Sequence, residues 1–570
     1  MNNQQALQNY DSDFFVLRTP LTSIKDLLEL HQTLTAEGYE AFAKKLLQLF
    51  KEPLLQDALY LASPVLRNEL LKIQETYSVA PIKLIDSLYQ YYIRMATRCT
   101  PFGLFAGTSI GKLSEARTEL RLHSAKNISK YLRLDMNYLC LLANELGTAK
   151  PLSTFSYHAN SSCYKIGNKI RYTETRFFGD NRSYHITHID NNQLLELLLP
   201  FTATNKTYAQ IITFIEELGI PQTHAIQYTD DLIKCQMLVN NLEANVTGVD
   251  YMDYLVKELD QTDTNAEHLL LEKVVNAIKR DQTKGIKLFS EVKAILSELP
   301  AAIDETKLFQ MDIAKKVISA NLSNELLQRV KACTNVLSKL TYDISAFGNL
   351  AKFKMAFEER YETRTVKLTE ALDAEIGIDY QNIISNAHLG QPDYNPGTNP
   401  ILGYKLGKLQ HALKNGLPEV EIMDHELGFI KQSIKLPTSI GAMIKLHKTA
   451  LEQEPQLEFK FAGGPSAANI LGRFCQSNPE MNAKIQEQLR IEENEHSEKI
   501  FAEIVHLPQA RVGNVLARPH LRKYEIVFLA QSTLPNEYVI TLNELYLKLE
   551  YGRLVLFSKR LKKEIVPRLS

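Results

Sequence analysis

Residues 91–111 read YYIRMATRCTPFGLFAGTSIG and form the most specific run in the chain. Arg94 and Arg98 are four residues apart, so on a helix their guanidinium groups share one face. The helix must end shortly after Arg98, because Pro101 disfavours helical geometry at Thr100. The glycines that follow allow the backbone to approach a ligand closely. Two forked, permanently charged donors beside such a loop suit phosphate recognition, although the helix dipole alone also favours cations at a helix C-terminus.

The sequence before this run predicts a short strand and then helices. Residues 14–18, FFVLR, predict a strand that ends at Thr19-Pro20. Residues 24–50 and 65–96 have helical periodicity. The apolar face of the second stretch consists of Leu84, Leu88, Tyr91, Tyr92 and Met95.

Residues 155–245 have the pattern of a separate small module. Polar and apolar residues alternate over 163–173, with a turn at Gly167-Asn168, and again over 183–189. Helical stretches follow at 191–201, 207–218 and 223–235, and the last runs into MLVNNL. This order suits a winged helix-turn-helix. Such a module reads nucleic acid, captures an extended peptide by strand addition, or is a structural subdomain only.

The remainder mixes helical and strand patterns. Residues 265–300 and 318–378 are helix-rich, and LFQMDI between them alternates, with Asp312 on its polar side. Residues 386–400 predict a loop. The strand patterns after residue 455 are LEFKFAGG, KYEIVFLA, EYVITL and GRLVLFS. We therefore expect an α+β protein of several subdomains, with mixed helices and sheets and the winged module embedded at 155–245, between parts 1–154 and 246–570.

The composition is that of an ordinary globular protein of 570 residues, long enough for several domain-sized units. Lys+Arg 65 against Asp+Glu 66 leaves a net charge of −1, so a nucleic-acid site must be a local cluster of arginines. The 6 cysteines lie far apart and match no zinc spacing, which predicts buried free thiols and no metal site. No signal-peptide pattern or long apolar run is present, so we expect a cytoplasmic protein without a membrane span.

Four further residues are candidates for chemistry. Arg18 ends the first predicted strand and taken alone is a surface charge. Three roles are open for Asp135, as a partner of Arg133, a helix cap or a catalytic carboxylate. For Asp312, on the polar side of its strand, the default expectation is a solvated surface acid. Arg473 is flanked by apolar residues, which predicts a half-buried guanidinium that needs an anionic partner.

Several catalytic signatures are absent from the sequence. It contains no G-x-x-x-x-G-K-[ST], no G-x-G-x-x-G after a strand, no H-E-x-x-H and no G-x-S-x-G. The sequence therefore has no recognisable nucleotide-binding, metal-binding or triad motif.

Several segments, taken in order, resemble the lantibiotic dehydratase family. They are FVLRTP at 15–20, RMATRCTPFGLFAG at 94–107, RLD at 133–135, QMD at 310–312, the stretch 357–378 with its F-x-x-x-Y, GRF at 472–474, and LPxxRxGNV with RPxLRxYEI over 507–526. The run T-R-x-T-P-F-G-L-F-A-G is specific, and the other segments gain weight from their order along the chain.

The resemblance implies a reaction. Such enzymes take glutamate from glutamyl-tRNA and transfer it to Ser and Thr hydroxyls of a ribosomal precursor peptide, and a second domain then eliminates the glutamate. The residues that match the family's glutamylation set are Arg18, Arg94, Arg98, Thr100, Asp135, Asp312 and Arg473. The resemblance implies that Arg18, Arg94 and Arg98 bind glutamyl-tRNA, and that Arg98, Thr100, Asp135, Asp312 and Arg473 are catalytic. Asp135 and Asp312 are its candidates for positioning or general-base work.

The resemblance also implies partners. Glutamyl-tRNA serves as co-substrate and no other cofactor is expected, because the acyl group arrives activated. The winged module is expected to bind the precursor's leader peptide as an added strand. The family's elimination residues have no counterpart here, so elimination is expected on a separate protein, unless the chain is a truncated product. A cyclase and a second copy of the chain are further candidate partners.

Two other functions stay open at this point. One is a peptide–aminoacyl-tRNA ligase, which adds an amino acid to a peptide C-terminus, since some relatives use the same fold in that way. The other is a non-catalytic scaffold that only binds leader peptide. If the arginines line one basic site with Asp135 or Asp312, the two enzymatic functions are favoured over the scaffold.

Overall fold

The structure is a computed structural model of the chain. It describes residues 12–76, 80–123, 127–178, 181–260, 265–281, 283–341, 348–385, 399–430, 434, 436–447 and 455–570. The predicted loop at 386–400 lies outside the described residues except for its last two.

The chain contains helices along most of its length. They are α1 (Ile24–Glu37), α2 (Tyr39–Leu49), α3 (Pro53–Ala62), α4 (Pro64–Thr76), α5 (Ile82–Thr97), α6 (Met136–Ala149), α7 (Gln193–Phe201), α8 (Tyr208–Glu217), α9 (Gln222–Lys234), α10 (Tyr251–Asp260), α11 (Asn265–Arg280), α12 (Ile286–Leu296), α13 (Asn324–Leu340), α14 (Asn349–Tyr361), α15 (Leu368–Leu372), α16 (Tyr380–Ser385), α17 (Pro400–Asn415), α18 (Pro479–Glu495) and α19 (Gly513–Leu516).

The strands are interspersed with these helices. They are β1 (Phe14–Pro20), β2 (Ala106–Ser114), β3 (Glu119–Leu122), β4 (Ile128–Leu134), β5 (Ser156–Ala159), β6 (Tyr164–Ile166), β7 (Lys169–Phe178), β8 (Asn181–Asp190), β9 (Lys206–Thr207), β10 (Leu238–Asn240), β11 (Phe309–Lys315), β12 (Val317–Ser323), β13 (Val366–Lys367), β14 (Gly441–His447), β15 (Gln456–Gly463), β16 (Lys499–Val505), β17 (Tyr524–Val527), β18 (Val539–Ile540), β19 (Leu545–Glu550), β20 (Arg553–Ser558) and β21 (Lys563–Arg568).

Both predicted N-terminal helical stretches are divided in the structure. The stretch 24–50 turns at Gly38, whose φ of +86° ends α1 and is readily adopted only by glycine. The stretch 65–96 contributes two helices, and Pro81 is the N-cap residue of the second, α5. The predicted apolar face of α5 is confirmed: Leu84, Leu88, Tyr92 and Met95 are buried and Tyr91 is half-buried.

The strands β1, β2, β3, β4, β11 and β12 form the sheet that carries the candidate site. β1 extends to Pro20 and pairs antiparallel with β2, which places Arg18 opposite Thr108. β11 meets β2 in parallel at Ala314 and Thr108. Arg18, Thr108 and Ala314 therefore lie in one row across the sheet, and Asp312, two residues before Ala314, projects from the same face.

The predicted elements of the module at 155–245 are confirmed. β6 and β7 form a hairpin that turns at Gly167, with a φ of +53°, and β7 pairs with β8 along its whole length. α7, α8 and α9 follow, and β10 returns to pair with β5. The assignment of these elements to a winged helix-turn-helix, and the boundaries 1–154, 155–245 and 246–570, stay predictions.

A second large sheet lies in the C-terminal part, with strand order β13-β19-β20-β21-β16-β17-β18. The four strand patterns predicted after residue 455 contribute to β15, β17, β18 and β20, and the α+β fold class is confirmed. The largest apolar core extends from Leu21 to Ile313 and also includes residues between Val505 and Ala530. Among the described helices, none has both the length and the apolar content that crossing a membrane requires.

Candidate functional site

Asp312 and Arg473 form the centre of the candidate site. Asp312 lies on β11 and is only 4% exposed. Its Oδ1 accepts a hydrogen bond from Arg473 Nη2 at 3.4 Å, and its Oδ2 accepts one from Arg133 Nη2 at 3.0 Å. The predicted half-buried Arg473 with an anionic partner is thus confirmed. The prediction that Asp312 is a solvated acid is wrong, because the segment 472–474 and the Arg133 side chain cover this face of the sheet.

Arg18 lies beside Arg473 and is half-buried, so its prediction as a surface charge is wrong. Its Cζ lies 5.2 Å from the centroid of the Phe474 ring, and Arg473 Cζ lies 4.9 Å from the same centroid. Arg18 Nη2 also donates to the Ile470 carbonyl at 3.2 Å. Burial, together with the positive charge of Arg473, lowers the pKa of Arg18. The fold therefore holds two cations together against their repulsion, as a site for an anion requires.

Asp135 is the N-cap residue of α6. Its Oδ1 accepts from the Asn137 backbone N–H at 2.8 Å, and its Oδ2 accepts from Asn514 Nδ2 at 2.9 Å. The backbone carbonyl of Asn514 in turn accepts a hydrogen bond from Arg133 Nη2 at 3.3 Å. Burial raises the pKa of the Asp135 carboxyl, and these two hydrogen bonds oppose the rise. Of the three roles considered for Asp135, the structure shows the cap.

Arg94, Arg98 and Thr100 lie beside this network without touching it. Arg94, in the last turn of α5, is half-buried and places Cζ 4.5 Å from the Phe102 ring centroid and 5.6 Å from that of Phe105. Arg98 and Thr100 follow the end of the helix and are exposed. The motif therefore presents its second arginine to solvent and uses its first to brace the turn.

Two backbone hydrogen bonds attach this turn to the end of β1. The Leu21 N–H donates to the Phe105 carbonyl at 2.8 Å, and the Thr22 N–H donates to the Met95 carbonyl at 3.0 Å. Arg18 is three residues before Leu21, so the exposed segment 98–100 and the half-buried Arg18 occupy neighbouring parts of one surface.

The pKa of Cys99 reflects the positive charge around the segment 98–100. Partial burial raises the pKa of its thiol, and the nearby positive charges of Lys445, Lys315 and Arg18 oppose the rise. Cations from β14, β11 and β1 therefore converge next to Arg98 and Thr100. The prediction of buried thiols is wrong for the exposed Cys99, whereas Cys140, Cys163 and Cys475 are buried.

The site carries an excess of positive charge. Among the described residues, Asp312 is the one carboxylate within ion-pair distance of Arg18, Arg133, Lys315 or Arg473, and it pairs with two of them. Arg18 and Arg473 lie against the same Phe474 ring and have one carboxylate between them, an arrangement that favours an anionic ligand or a developing oxyanion. Both carboxylates of the predicted set accept two hydrogen bonds each, Asp312 from Arg133 and Arg473, and Asp135 from Asn137 and Asn514.

Sequence reasoning missed two residues of this site and one buried cation of the same strand. Arg133 and Asn514 link Asp135 to Asp312, and Lys315 projects from the face of β11 opposite Asp312. Arg133 and Asn514 lie in the RLD and RxGN segments, so their position within motifs was the available signal. Lys315 lies outside every quoted motif. In the described part of the chain, no three His, Cys, Asp or Glu side chains are placed to hold a metal ion.

A family model described as "Lantibiotic dehydratase, N terminus" matches residues 51–570. The chain belongs to the lantibiotic dehydratase family. Among its relatives is the nisin biosynthesis protein NisB of Lactococcus lactis subsp. lactis, 23% identical over 531 residues, a match that covers 86% of this chain and 50% of NisB. The subtilin biosynthesis protein SpaB of Bacillus subtilis is 25% identical over 392 residues, covering 64% of this chain and 35% of SpaB. The chain thus spans at most about half the length of these relatives.

Solved structures show the same fold. The tRNA-dependent lantibiotic dehydratase MibB from Microbispora sp. 107891 matches 98% of this chain and 54% of its own, with a TM-score of 0.75 and 18% identity. The glutamylation domain of TbtB, from thiomuracin biosynthesis, matches 96% of this chain and 69% of its own, with a TM-score of 0.64 and 17% identity. The family's fold accounts for nearly all of the chain.

Proposed function

We propose that this chain transfers glutamate from glutamyl-tRNA to Ser and Thr side chains of a ribosomal precursor peptide, the first half of dehydration in lanthipeptide biosynthesis. Membership of the lantibiotic dehydratase family supports this reaction. The structural similarity to a tRNA-dependent lantibiotic dehydratase and to a glutamylation domain supports it further. The product is a side-chain ester, formed as the peptide hydroxyl displaces the tRNA 3′ oxygen from the glutamyl carbonyl.

One observation carries the proposal, which is the convergence of Arg18, Arg473 and Asp312 next to the segment with Arg98 and Thr100. The exposed Arg98 suits a phosphate of the tRNA acceptor end, since such contacts position the nucleic acid. The half-buried Arg473 suits the oxyanion that develops as the ester carbonyl is attacked. Asp312 holds Arg473 in place, because its Oδ2 is fixed by the buried Arg133.

The module at 155–245 would bind the leader of the precursor peptide. β8 is an edge strand of its sheet, with ten residues from Asn181 to Asp190 and β7 on one side only. An edge strand of this length offers free backbone groups to an added peptide strand. A cyclase that acts on the product and a second copy of the chain are further proposed partners.

The direct test mixes purified protein, charged glutamyl-tRNA and the precursor peptide encoded nearby. Intact-mass spectrometry should show glutamyl increments on the peptide, and mild base should remove them because they are esters. An increment that resists base and maps to the peptide C-terminus indicates the peptide–aminoacyl-tRNA ligase instead. A peptide that binds but gains no mass in the presence of charged tRNA contradicts both reactions and favours the scaffold.

A matched pair of variants locates the reaction. Arg98→Ala should reduce transfer by orders of magnitude and leave leader-peptide affinity unchanged, since Arg98 is exposed and far in sequence from the module. Arg121→Ala serves as control, because Arg121 is an exposed arginine on β3 whose ion pair is with Glu119. Equal losses of transfer in the two variants, or loss of leader binding in Arg98→Ala, would argue against a local role for Arg98.

A further inference from the structure

A narrow cleft lies between α19 and the segment 245–250, which directly precedes α10. Together with its open mouth the cleft encloses about 310 Å³. Its lining includes the buried Arg133 and the exposed Val249, so it extends from the surface into the protein. Arg133 is the residue that pairs with Asp312. The inner end of the cleft therefore adjoins the centre of the candidate site.

The wall of this cleft contains polar atoms that the fold leaves unsatisfied. Arg133, Asn245 and Arg518 are each more than nine-tenths buried. Within the described residues, Arg133 Nε, Arg518 Nε and Asn245 Oδ1 have no hydrogen-bond partner. The orientation of the Asn245 amide is fixed, because its Nδ2 donates to the carbonyls of Thr247 and Val249 at 3.0 and 2.7 Å. The cleft thus offers N–H donors together with one acceptor, and a ligand with both functions would satisfy them.

A hydroxyl group has this combination of functions. Its oxygen accepts a hydrogen bond from an arginine N–H, and its proton donates to an amide oxygen. An anion fits less well, because it has no proton to donate to Asn245 Oδ1 and would meet the carboxyl group of Asp250, which also lines the cleft. The narrow lining therefore suits the slim, hydroxyl-bearing side chain of Ser or Thr.

The cleft is connected with the strand that is proposed to bind the leader. The Tyr184 hydroxyl on β8 donates to the Leu507 carbonyl. Leu507 packs against Gly513, the first residue of α19, where an added Cβ would lie 3.0 Å from Leu507 Cδ1. Tyr184 is the fourth residue of β8, so the start of this strand lies nearer the cleft than its end does. Because a leader precedes the modified region, a leader strand antiparallel to β8 would direct the rest of the peptide towards the cleft.

The cleft and the cations that suit tRNA lie on different sides of Asp312. β1 and β4 are on opposite sides of β11 in the sheet, and they carry Arg18 and Arg133. Arg18 lies towards the segment 98–100, whereas Arg133 forms the inner wall of the cleft. A peptide in the cleft and an acceptor end beside the segment 98–100 would therefore not compete for space, and they would meet near Asp312 and Arg473.

We propose that this cleft binds the acceptor segment of the precursor peptide, with a Ser or Thr side chain at the inner wall beside Arg133. The inference rests on the proposed function and specifies where its second substrate lies. Val249 in the segment 245–250 and Val515 on α19 are about half-exposed and border the mouth of the cleft. The peptide enters between these two residues.

The first test locates the peptide without any transfer reaction. A precursor peptide carries the photo-cross-linking amino acid p-benzoyl-phenylalanine directly before its first Ser or Thr after the leader. Irradiation with the wild-type protein, then digestion and mass spectrometry, should place the cross-link on the segment 245–250 or on α19. A cross-link that maps to other parts of the chain overturns the inference.

The second test narrows the mouth of the cleft. Val249→Trp should raise the KM for the precursor peptide at least about 10-fold, because it obstructs binding of this substrate. Its affinities for leader peptide and for tRNA should stay at the wild-type values. Val65→Trp is the matched control, since Val65 is an exposed valine on α4. Val515→Trp obstructs the mouth from the opposite wall, and it should raise the KM in the same way if Val249→Trp does not fold.

The outcomes separate this inference from the proposed function. Wild-type KM values in the folded tryptophan variants overturn the inference and leave a bound water as the occupant of the cleft. Parallel loss of leader affinity overturns it as well, because the defect is then not confined to the cleft. Glutamyl transfer by a wild-type protein whose cross-link lies elsewhere overturns the inference and leaves the proposed function standing. A cross-link on the cleft without glutamyl increments removes the proposed function and retains the peptide site.

Discussion

Asp312 shows how much one carboxylate contributes when two guanidinium groups share it. Its side chain is 4% exposed and that of Arg133 is 7% exposed, so neither charge has access to bulk water. Asp312→Asn keeps the shape and removes the charge, which leaves Arg133 buried and uncompensated. We expect the free energy of unfolding to fall by about 3–5 kcal/mol, measured by urea denaturation.

Asp253→Asn is the control for this prediction. Asp253 is about half-exposed, with 49% of its side chain accessible, and its ion pair with Lys279 spans 3.9 Å. That substitution should change the free energy of unfolding by no more than about 0.5 kcal/mol. Similar unfolding midpoints for the wild type and Asp312→Asn would mean that the charge pair with Arg133 does not form in the folded protein.

Substitutions of Asp135 distinguish a role as the N-cap of α6 from a role in catalysis. Asn caps a helix about as well as Asp, so Asp135→Asn should keep the cap and lose the hydrogen bond from Asn514 Nδ2, about 1–2 kcal/mol, while Asp135→Ala should lose both, about 2–4 kcal/mol. If Asp135 acts only by capping α6, the Asn variant should retain transfer activity to within a few-fold at a temperature where it is fully folded. Loss of activity in the folded Asn variant, seen as a cooperative melting curve with a reduced kcat, would identify the carboxylate as part of the chemistry.

These residues also show where sequence reasoning reached its limit. The partly buried state of Arg473 was predictable, because its apolar neighbours in ILGRFC require a covered position. The burial of Asp312 was not, because its partners Arg133 and Arg473 are 179 and 161 residues away along the chain. Local alternation of polar and apolar residues describes one strand, and it contains no information on what packs over the polar side.

At the scale of elements, Gly107 determines how closely β2 and β11 approach. Gly107→Ala places a Cβ 2.7 Å from Ile313 Cγ1 and 2.9 Å from the Ile313 carbonyl oxygen, so β11 must shift. We expect a loss of about 1–3 kcal/mol in the free energy of unfolding. Gly407→Ala is the opposite case: nothing lies within 4 Å of the new Cβ inside α17, and the helix should gain about 0.5–1 kcal/mol. Equal effects of the two substitutions would contradict the close packing of the sheet.

Element type was easier to predict than element junctions. The periodicity of 24–50 and 65–96 correctly indicated helix, because an apolar stripe at three- and four-residue spacing is a local property. The breaks at Gly38 and before Pro81 coincide with single residues that end or begin helices, and the apolar periodicity alone does not place them. The parallel contact between β2 and β11 joins Thr108 to Ala314, a long-range pairing that no local pattern contains.

At the scale of the whole molecule, one source of pH-dependent stability is Glu243, a largely buried acid near the end of the module at 155–245. Burial raises the pKa of Glu243 to about 7, and the nearby Arg182 opposes the rise. Its side chain is 18% exposed, and its Oε2 lies 3.7 Å from His158 Nε2. Between about pH 4.5 and about pH 7 the folded protein keeps a proton that the unfolded chain has lost. Glu243 therefore stabilises the fold at acidic pH, and this contribution is lost as the pH rises through about 7.

Glu243→Gln removes this dependence of stability on pH. From pH 5 to pH 8, the free energy of unfolding of the variant should therefore rise by up to about 3 kcal/mol relative to that of the wild type. Urea denaturation at the two pH values gives the difference. His158 has the opposite effect, because burial lowers its pKa. It lies 3.7 Å from Glu243, so the measured difference belongs to the interacting pair. If wild type and variant differ in their free energy of unfolding by the same amount at both pH values, Glu243 is ionised in the folded protein at both.

The whole molecule is predicted to bind two ligands through different physics, and salt separates them. The net charge of −1 gives the chain no general attraction for polyanions, so tRNA must bind through the local cations around Arg98. Each neutralised phosphate releases counterions, so log Kobs for tRNA should fall linearly with log salt, and Arg98→Ala should reduce the slope by about 1. Leader peptide that pairs with an edge strand releases few ions, so its Kd should change little with salt.

Parallel titrations of wild type and variant measure both affinities, for tRNA and for leader peptide. They run from 50 to 200 mM salt, a range over which phosphate contacts weaken by orders of magnitude. A tRNA affinity that is insensitive to salt, or a slope that Arg98→Ala leaves unchanged, would remove the phosphate contact on which the position of the acceptor end depends.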